Sequence, residues 1–285
     1  MLRMNLRTLF GHKTSWLRHF PKTHQRIRSK YLVRHAMGVP MGDGMVLCRI
    51  LGPYKFYCDP DDRGISPHII MDGYWEPRTT EAIIDRLGLG MTAIDAGANL
   101  GYFTMLMGLM VGETGRVLSF EPVAASVRRL KYSLLINGLV ERTTVYQEPL
   151  GDEEGRAVDI IVPENLEGGA HVANAPLDGR RAVAARTRRL DMIPGALDAT
   201  LVKIDTEGME HAIWRGMAGM IAGPNLRHII VEFTRDGYSD PGAFLDEVTA
   251  AGFRLMHIHD RDGVVPTTRE KILAGPWLQM LLFER

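Results

Sequence analysis

Five carboxylates in this chain, Asp95, Glu121, Asp152, Asp205 and Glu232, stand at or just past the ends of short apolar runs. A carboxylate has two acceptor oxygens, so one side chain can take two parallel hydroxyl donors. Glu121 lies about 20 residues beyond a glycine turn, where an acid at the end of a second strand accepts a ribose diol. A second acidic stretch, Lys203-Ile204-Asp205-Thr206-Glu207-Gly208-Met209-Glu210-His211, has three carboxylates within six residues. Removing a proton from a hydroxyl needs a base within ~3 Å of it. By strand position, Asp205 and Glu232 are the candidates. Oxygen ligands at Asp205, Glu207, Glu210 and Glu232 would also suit magnesium or calcium. No histidine–cysteine spacing supports zinc. The preferred reading has no metal, and it gives His211 a packing or surface role.

The elements that must position these groups are legible around Met91–Thr104, M-T-A-I-D-A-G-A-N-L-G-Y-F-T. Thr92–Asp95 reads as a buried parallel strand. Gly97 and Gly101 flank Ala98, Asn99 and Leu100, where a ligand can approach the main chain. Tyr102–Met110 then reads as a helix whose free N–H groups suit an anion. A dinucleotide site would read G-x-G-x-x-G, and the middle glycine is missing here. A ribose without a pyrophosphate, with a small carboxylate at the loop, fits S-adenosylmethionine better than a nicotinamide dinucleotide. Further strands are expected at Arg116–Phe120, Thr143–Glu148, Val202–Ile204, His228–Phe233, Arg254–His259 and Leu278–Phe283. Helices are expected at Val123–Ile136, Met209–Met220 and Pro241–Ala251, the first closed by Asn137-Gly138. This alternation predicts an α/β fold with a doubly wound, mostly parallel sheet of seven strands, the last antiparallel. Ligands bind such sheets at the carboxyl ends of the strands.

D-A-G-A-N-L-G-Y-F-T, V-L-S-F-E-P, L-G-D-E-E-G, R-L-D, K-I-D-T-E-G-M-E-H and I-I-V-E-F occur in this order. Over about Gly73–His259 the series resembles the FkbM-type methyltransferase family. The resemblance implies a class I (Rossmann-like) methyltransferase fold and S-adenosylmethionine-dependent transfer, commonly to a hydroxyl oxygen. It implies that the segment Tyr74-Trp75-Glu76-Pro77 reaches the cofactor pocket, and that Asp152, after Gly151, accepts the adenine amino group. The expected cofactor set is Glu76, Asp95, Gly97, Ala98, Asn99, Gly101, Tyr102, Phe103, Glu121, Pro122, Gly151, Asp152 and Asp205, with Asp205 and Glu232 catalytic. The expected reaction is O-methylation of a sugar, glycan or small hydroxylated metabolite. The alternatives are N-methylation and a non-catalytic cofactor- or glycan-binding subunit.

The chain has 285 residues, with 34 basic and 34 acidic side chains. No overall field marks nucleic acid as a partner. Two cysteines, Cys48 and Cys58, are too few for a disulfide framework and read as reduced thiols. No apolar run is long enough for a membrane span, no signal-peptide h-region follows the basic start, and the expected compartment is the cytoplasm. Residues 1–77 read as a basic extension and a β-hairpin (Met45–Ile50 with Lys55–Cys58), and 78–285 as the cofactor-binding domain. No acid precedes Asp43. The basic start either packs on the domain or a second subunit, or rests on an anionic membrane surface. A helix capped by Thr79 or Thr80 is expected to reach about Leu87. Pro163–Gly179 reads as a long lid or substrate loop. Arg180, Arg181, Arg186, Arg188 and Arg189 form either a grip for an acidic substrate or a solvated edge. Asp191 fits the family pattern, and a local turn or cap role is enough to explain it. His257 and His259 share one face of a strand.

Overall fold

The computed structural model describes residues 38–164, 166–173 and 182–285. The expectations for the basic start up to residue 37, and for Arg180 and Arg181, lie outside the described residues.

The chain opens with β1 (Val39–Gly42), β2 (Met45–Ile50) and β3 (Tyr54–Cys58), an antiparallel meander rather than the expected two-stranded hairpin. The added strand β1 is exposed throughout and contains Pro40, which an edge strand tolerates because it lacks an N–H. Cys48 and Cys58 are buried free thiols with their Sγ atoms 3.3 Å apart. Helix α1 (Ile65–Asp72) was not foreseen. Its start is held by Asp62, whose carboxylate accepts from the N–H groups of Gly64 and Ser66 at 2.9 and 2.7 Å. Helix α2 (Pro77–Arg86) begins before the expected threonine cap, with Pro77 in its first turn. Proline is pre-set for that position because the N–H it lacks would have no helical partner. Thr80 instead lies inside the helix, donating to the Trp75 carbonyl at 2.8 Å and meeting the Tyr102 hydroxyl at 3.0 Å.

The alternating part follows as β4 (Thr92–Ala96), α3 (Tyr102–Val111), β5 (Arg116–Phe120), α4 (Ala124–Ile136) and β6 (Thr143–Tyr146). Short strands β7 (Leu150–Gly151), β8 (Ala157–Ile161), β9 (His171–Val172), β10 (Ala182–Arg186) and β11 (Arg188–Arg189) make two small side sheets. The chain continues with β12 (Ala199–Ile204), α5 (Glu210–Gly216), α6 (Ala218–Ala222), β13 (His228–Thr234), α7 (Pro241–Ala250), β14 (Arg254–His259), β15 (Gly263–Pro266), α8 (Arg269–Ala274) and β16 (Leu278–Glu284). The single helix expected at Met209–Met220 is thus two, broken at Met217. At its end Gly216 lies against β7, where a Cβ would stand 2.0 Å from the Gly151 carbonyl oxygen.

The main sheet has the order β15-β14-β16-β13-β12-β4-β5-β6. Its pairs from β6 to β13 are parallel, and β16 runs antiparallel between β13 and β14, as expected for the last strand. The eighth strand, β15, adds an antiparallel edge that was not anticipated. Successive residues divide between the faces. Ala93, Val117, Leu201 and Ile230 join one core, and Ile94, Leu118, Val202 and Ile229 the other. Both faces are covered, which is why these strands read as continuous apolar runs. All ten residues of α3 are buried, because the sheet covers one side and α2 and the meander share the same core on the other. The order in which strands are added reverses about β4, which lies between β5 and β12, so the loop after β4 sits at the switch point where such sheets bind ligands. Among the described residues, no helix is long and apolar enough to cross a membrane.

Helix α4 ends as its Asn-Gly pair predicted. Gly138 takes φ +68°, and the N–H groups of Leu139 and Gly138 reach back to the carbonyls of Leu134 and Leu135 at 2.9 and 3.2 Å, a Schellman closure. Asn137 then links this end to the meander. Its amide accepts from Lys55 N at 3.1 Å and donates to Lys55 O and Ser133 O at 2.6 and 2.7 Å. Asn137→Ala is expected to lower stability by about 1 kcal/mol, since water can replace these exposed bonds. A urea titration checks this through a lower midpoint with an unchanged slope.

Candidate functional site

The carboxyl ends of β4, β5 and β12 open into a cleft. Gly97, Asn99, Glu121, Pro122 and Asp205 of the expected set line it. Gly97 has φ +81°, and a Cβ there would stand 1.7 Å from the Asp205 carbonyl oxygen. Only glycine allows β4 and β12 to meet this closely at the switch point. Asn99 and Glu207, on opposite lips of the cleft, are both non-glycine residues at positive φ, +51° and +55°. Glu76 takes φ +37° where it starts α2. Strain of this kind persists where the surroundings hold the backbone in place. Glu121 supplies part of that hold: its Oε2 accepts from Asn99 N at 2.7 Å and its Oε1 from Val123 N at 2.8 Å.

The loop after β12 is built around Glu210, which is buried and accepts from Thr206 N and Oγ1 at 2.9 and 3.0 Å and from Gly208 N at 3.0 Å. Glu210 therefore shapes the turn and does not face a ligand. Burial raises its pKa despite these donors. From the long loop, Gly168, Ala170, His171 and Val172 line the cleft; residues 165 and 174–179 of that loop lie outside the described residues.

Beneath the cleft sits a residue that the sequence reading passed over. Lys203 is 1 % exposed. Its Nζ donates to Asp205 Oδ2 at 2.8 Å and lies 4.7 Å from the centre of the Phe103 ring. Burial opposes its charge, but Asp205, Asp95 and Glu76 together hold the ammonium above its ordinary range. A charged residue inside an otherwise apolar strand, L-V-K-I, was the available signal. Asp95 is fully buried; Thr104 Oγ1 donates to its Oδ2 at 2.6 Å, and its Oδ1 has no hydrogen-bond partner among the described residues. Glu76 Oε2 is orphaned in the same way. Burial first, with Asp205 adding to it against the pull of Lys203, raises Glu76 to about 7. Burial raises Asp95 as well.

Glu76 and Glu232 face a second cavity, with His257, His259 and Gln279. No hydrogen bond holds the Glu232 carboxyl among the described residues. Burial, then Asp205 and Glu207, push it up to about 9. The carboxylates around Lys203 thus lie between two hollows.

Other expected residues fall elsewhere. Tyr102 is buried and ties α3 to α2 through Thr80. Phe103 packs under Lys203, and Ala98 and Gly101 are backbone of the turn, with Leu130 filling the space where a Gly101 Cβ would lie. Gly151 is buried against α5, and Asp152 reaches toward Arg156 at 3.7 Å instead of lining the cleft, which Glu148, Pro149 and Leu150 border at that point. The strand expected through Glu148 ends at Tyr146, so the chain enters the cleft wall earlier than anticipated. Arg188 pairs with Glu154 and Glu148, and Arg189 with Asp191. These guanidiniums form a paired edge. His211 packs on Phe244 and Tyr238, and Asp191 accepts from Gly219 N at the start of α6, a bond that spans 28 residues and not a local turn. Among the described residues, no three His, Cys, Asp or Glu side chains converge to hold a metal ion.

A doubly wound sheet with a glycine turn at its switch point, an acid after β5 and carboxylates after β12 defines a protein that binds a nucleoside-bearing small molecule. Residues 95–255 match the family described as Methyltransferase FkbM domain, more than half of the chain. The chain belongs to this family of S-adenosylmethionine-dependent methyltransferases, and its sheet is the class I methyltransferase sheet with one added edge strand. Solved structures similar to it include an rRNA methylase from Streptococcus thermophilus (11 % identity, 73 % of this chain and 95 % of that one, TM-score 0.41). They also include P. horikoshii TYW2 in complex with MeSAdo (9 %, 85 % and 70 %, 0.42) and a SAM-dependent O-methyltransferase from Thermotoga maritima (12 %, 84 % and 77 %, 0.42). No curated protein sequence matches this chain.

The protonated Glu232 has a consequence for stability. Its carboxyl keeps a proton to about pH 9 when folded and to about 4.5 in its ordinary state. The folded chain therefore binds more protons across that window, and this contribution to stability is lost as pH rises toward 9. Glu232→Gln is expected to flatten the loss, leaving the variant more stable at pH 9 by on the order of 1–2 kcal/mol after discounting for solvent screening. Urea titrations of both proteins at pH 5, 7 and 9 check it; superimposable profiles would refute it.

Proposed function

We propose that this chain methylates a hydroxyl oxygen of a sugar or another small hydroxylated metabolite. The observation that carries this reading is the pair of hollows on either side of one buried carboxylate cluster, the first suited to a nucleoside cofactor and the second to an acceptor. When bound, S-adenosylmethionine supplies a methyl group already activated on a positively charged sulfur. The residues present fit such a group: Asp95 Oδ1 and Glu76 Oε2 are buried acceptors without partners among the described residues, and Gly97 leaves main chain open at the turn.

In this reading Glu121, oriented by two backbone N–H groups at the cleft wall, accepts the ribose hydroxyls. The turn from Gly97 to Gly101 and the start of α3 receive the methionine carboxylate. Asp95 and Asp205, held by Thr104 and Lys203, face the ammonium side. Phe120, Leu150 and Ile160 form an apolar wall for the adenine. Transfer from an activated methyl is an in-line displacement, so positioning supplies most of the catalysis. A hydroxyl must also lose its proton. Of the two candidate bases, Asp205 is engaged by Lys203, whereas Glu232 opens onto the second cavity. Glu232 is therefore assigned as the base and Asp205 as a residue of the cofactor site.

The acceptor cavity favours an uncharged hydroxyl compound. Among the described residues the one guanidinium on its rim, Arg78, already donates to Glu81, the Asp260 carbonyl and the Arg261 carbonyl. An anionic acceptor would meet Glu76 and Glu232 with no free cation among the described lining residues.

Calorimetric titration with S-adenosylhomocysteine tests the cofactor site. Micromolar binding by the wild type, weakened about tenfold or more by Glu121→Ala, is expected, a loss of about 1.4 kcal/mol or above. A folded wild type that binds none overturns the assignment.

A further inference from the structure

The carboxylates between the two hollows outnumber their cations. Among the described residues, Lys203 is the one cation buried with these carboxylates, and it faces Asp205, Asp95 and Glu76 together. Glu232 adds to the same cluster, with Asp205, Glu207 and Glu76 acting on it and only Lys203 opposing them. From the second cavity, four other titratable groups face Glu232: His257 and His259 of β14, Asp260 after it, and Arg78 of α2. None of them supplies the missing charge. Arg78 is committed to Glu81 and two carbonyls. His259 contacts Asp262 at 3.1 Å. Burial and its neighbour His259 hold His257 below the ordinary histidine range, so it is neutral near pH 7. On the cleft side His171 lies near Glu207.

We infer that the positive charge of S-adenosylmethionine is the counter-ion this basin lacks, and that Glu232 loses its proton to solvent when that charge arrives and so becomes the base for the acceptor. The inference rests on the function proposed above. It accounts for an otherwise awkward feature. In the free protein Glu232 is protonated at neutral pH, and a protonated carboxyl cannot accept a proton. An opposite charge within about 4–6 Å lowers a carboxyl pKa by roughly 1–3, which carries a group near 9 into the neutral range. During transfer the acceptor's hydroxyl proton passes to the Glu232 carboxylate. The oxygen's lone pair forms the new bond to the methyl carbon, and the electron pair of the broken carbon–sulfur bond stays on sulfur, now neutral. With the positive charge gone, Glu232 keeps the proton it has taken. The proton leaves when the next charged cofactor binds. The enzyme thus holds its base inactive until a methyl donor is in place.

The test counts protons. Calorimetry at pH 7.5 in two buffers of different ionisation enthalpy gives the number released on binding S-adenosylmethionine and on binding neutral-sulfur S-adenosylhomocysteine. Wild type is expected to release ~0.5–1 proton more than Glu232→Gln with the charged ligand. The two proteins should give equal counts with S-adenosylhomocysteine. The amino group of each ligand titrates alike in both proteins and cancels. Equal counts with both ligands, while binding persists, would overturn the inference and leave the methyltransferase reading standing. Failure of folded wild type to bind either nucleoside would overturn both. Infrared difference spectra of the wild type alone give an independent answer should the variant not fold. The protonated-carboxyl band should disappear on adding S-adenosylmethionine and persist with S-adenosylhomocysteine; its persistence with both would overturn the inference.

Discussion

One buried ammonium organises the site. Lys203 sits on β12 at the centre of the sheet, with Asp205, Asp95 and Glu76 drawn toward it from three separate elements. A lone charge in this position would be too costly to bury. With its partners it fixes the end of β12, the end of β4 and the entry to α2 relative to each other. Phe103 completes the arrangement with its ring face toward the ammonium. The attraction is not balanced, however, because the carboxylates exceed the single cation. The excess is held as protons on Glu232 and Glu76. Such imbalance costs stability, and clusters of strongly perturbed groups facing a cavity mark functional sites.

The backbone around this cluster is equally constrained. β4 and β12 meet at Gly97 with no room for a side chain, and the turns on either lip pass through Asn99 and Glu207 at positive φ. Glu121 and Glu210 hold these turns by accepting main-chain N–H groups. Both acids therefore have a structural task. Glu121 in addition lines the cleft, whereas Glu210 is consumed by its loop. The two carboxylates end in different roles because one lies at the cleft wall and the other beneath the turn.

The N-terminal meander is part of the same packing problem. Helix α3 is apolar on every side, and the sheet can cover only one of them. The meander and α2 cover the rest through a shared core, while Asn137, Ser133 and Arg129 of α4 and its cap bond to β3 and the loop that follows it. This cover positions Glu76, since the chain that leaves the meander and α1 enters α2 through that residue.

Much of this was legible from the sequence. Continuous apolar runs ending in acids identified the parallel strands, because strands buried on both faces need apolar residues at every position. The glycine turn and Glu121 pointed to a nucleoside site, because main-chain approach and a diol acceptor each demand a particular residue type. Gly138 closed α4 where its left-handed cap required. These features are local, and local sequence carries them. Strand β15 and helix α1 escaped notice because a short edge strand and a short helix have too little periodicity to stand out. Asp152 fell outside the cleft because a two-residue strand and an early end to β6 altered where the chain re-enters the wall. Tyr102 and Phe103 were adjacent to the turn in sequence, but their side chains point into the core. Lys203 was visible as a letter, yet its importance depended on bringing together Glu76, Asp95 and Asp205 from positions far apart in the chain. Charge compensation in a low-dielectric interior depends on distance in space. The sequence by itself therefore determined the sheet, the turn and the kind of cofactor, and only the tertiary structure decided which carboxylates share one cation and which is left to hold a proton.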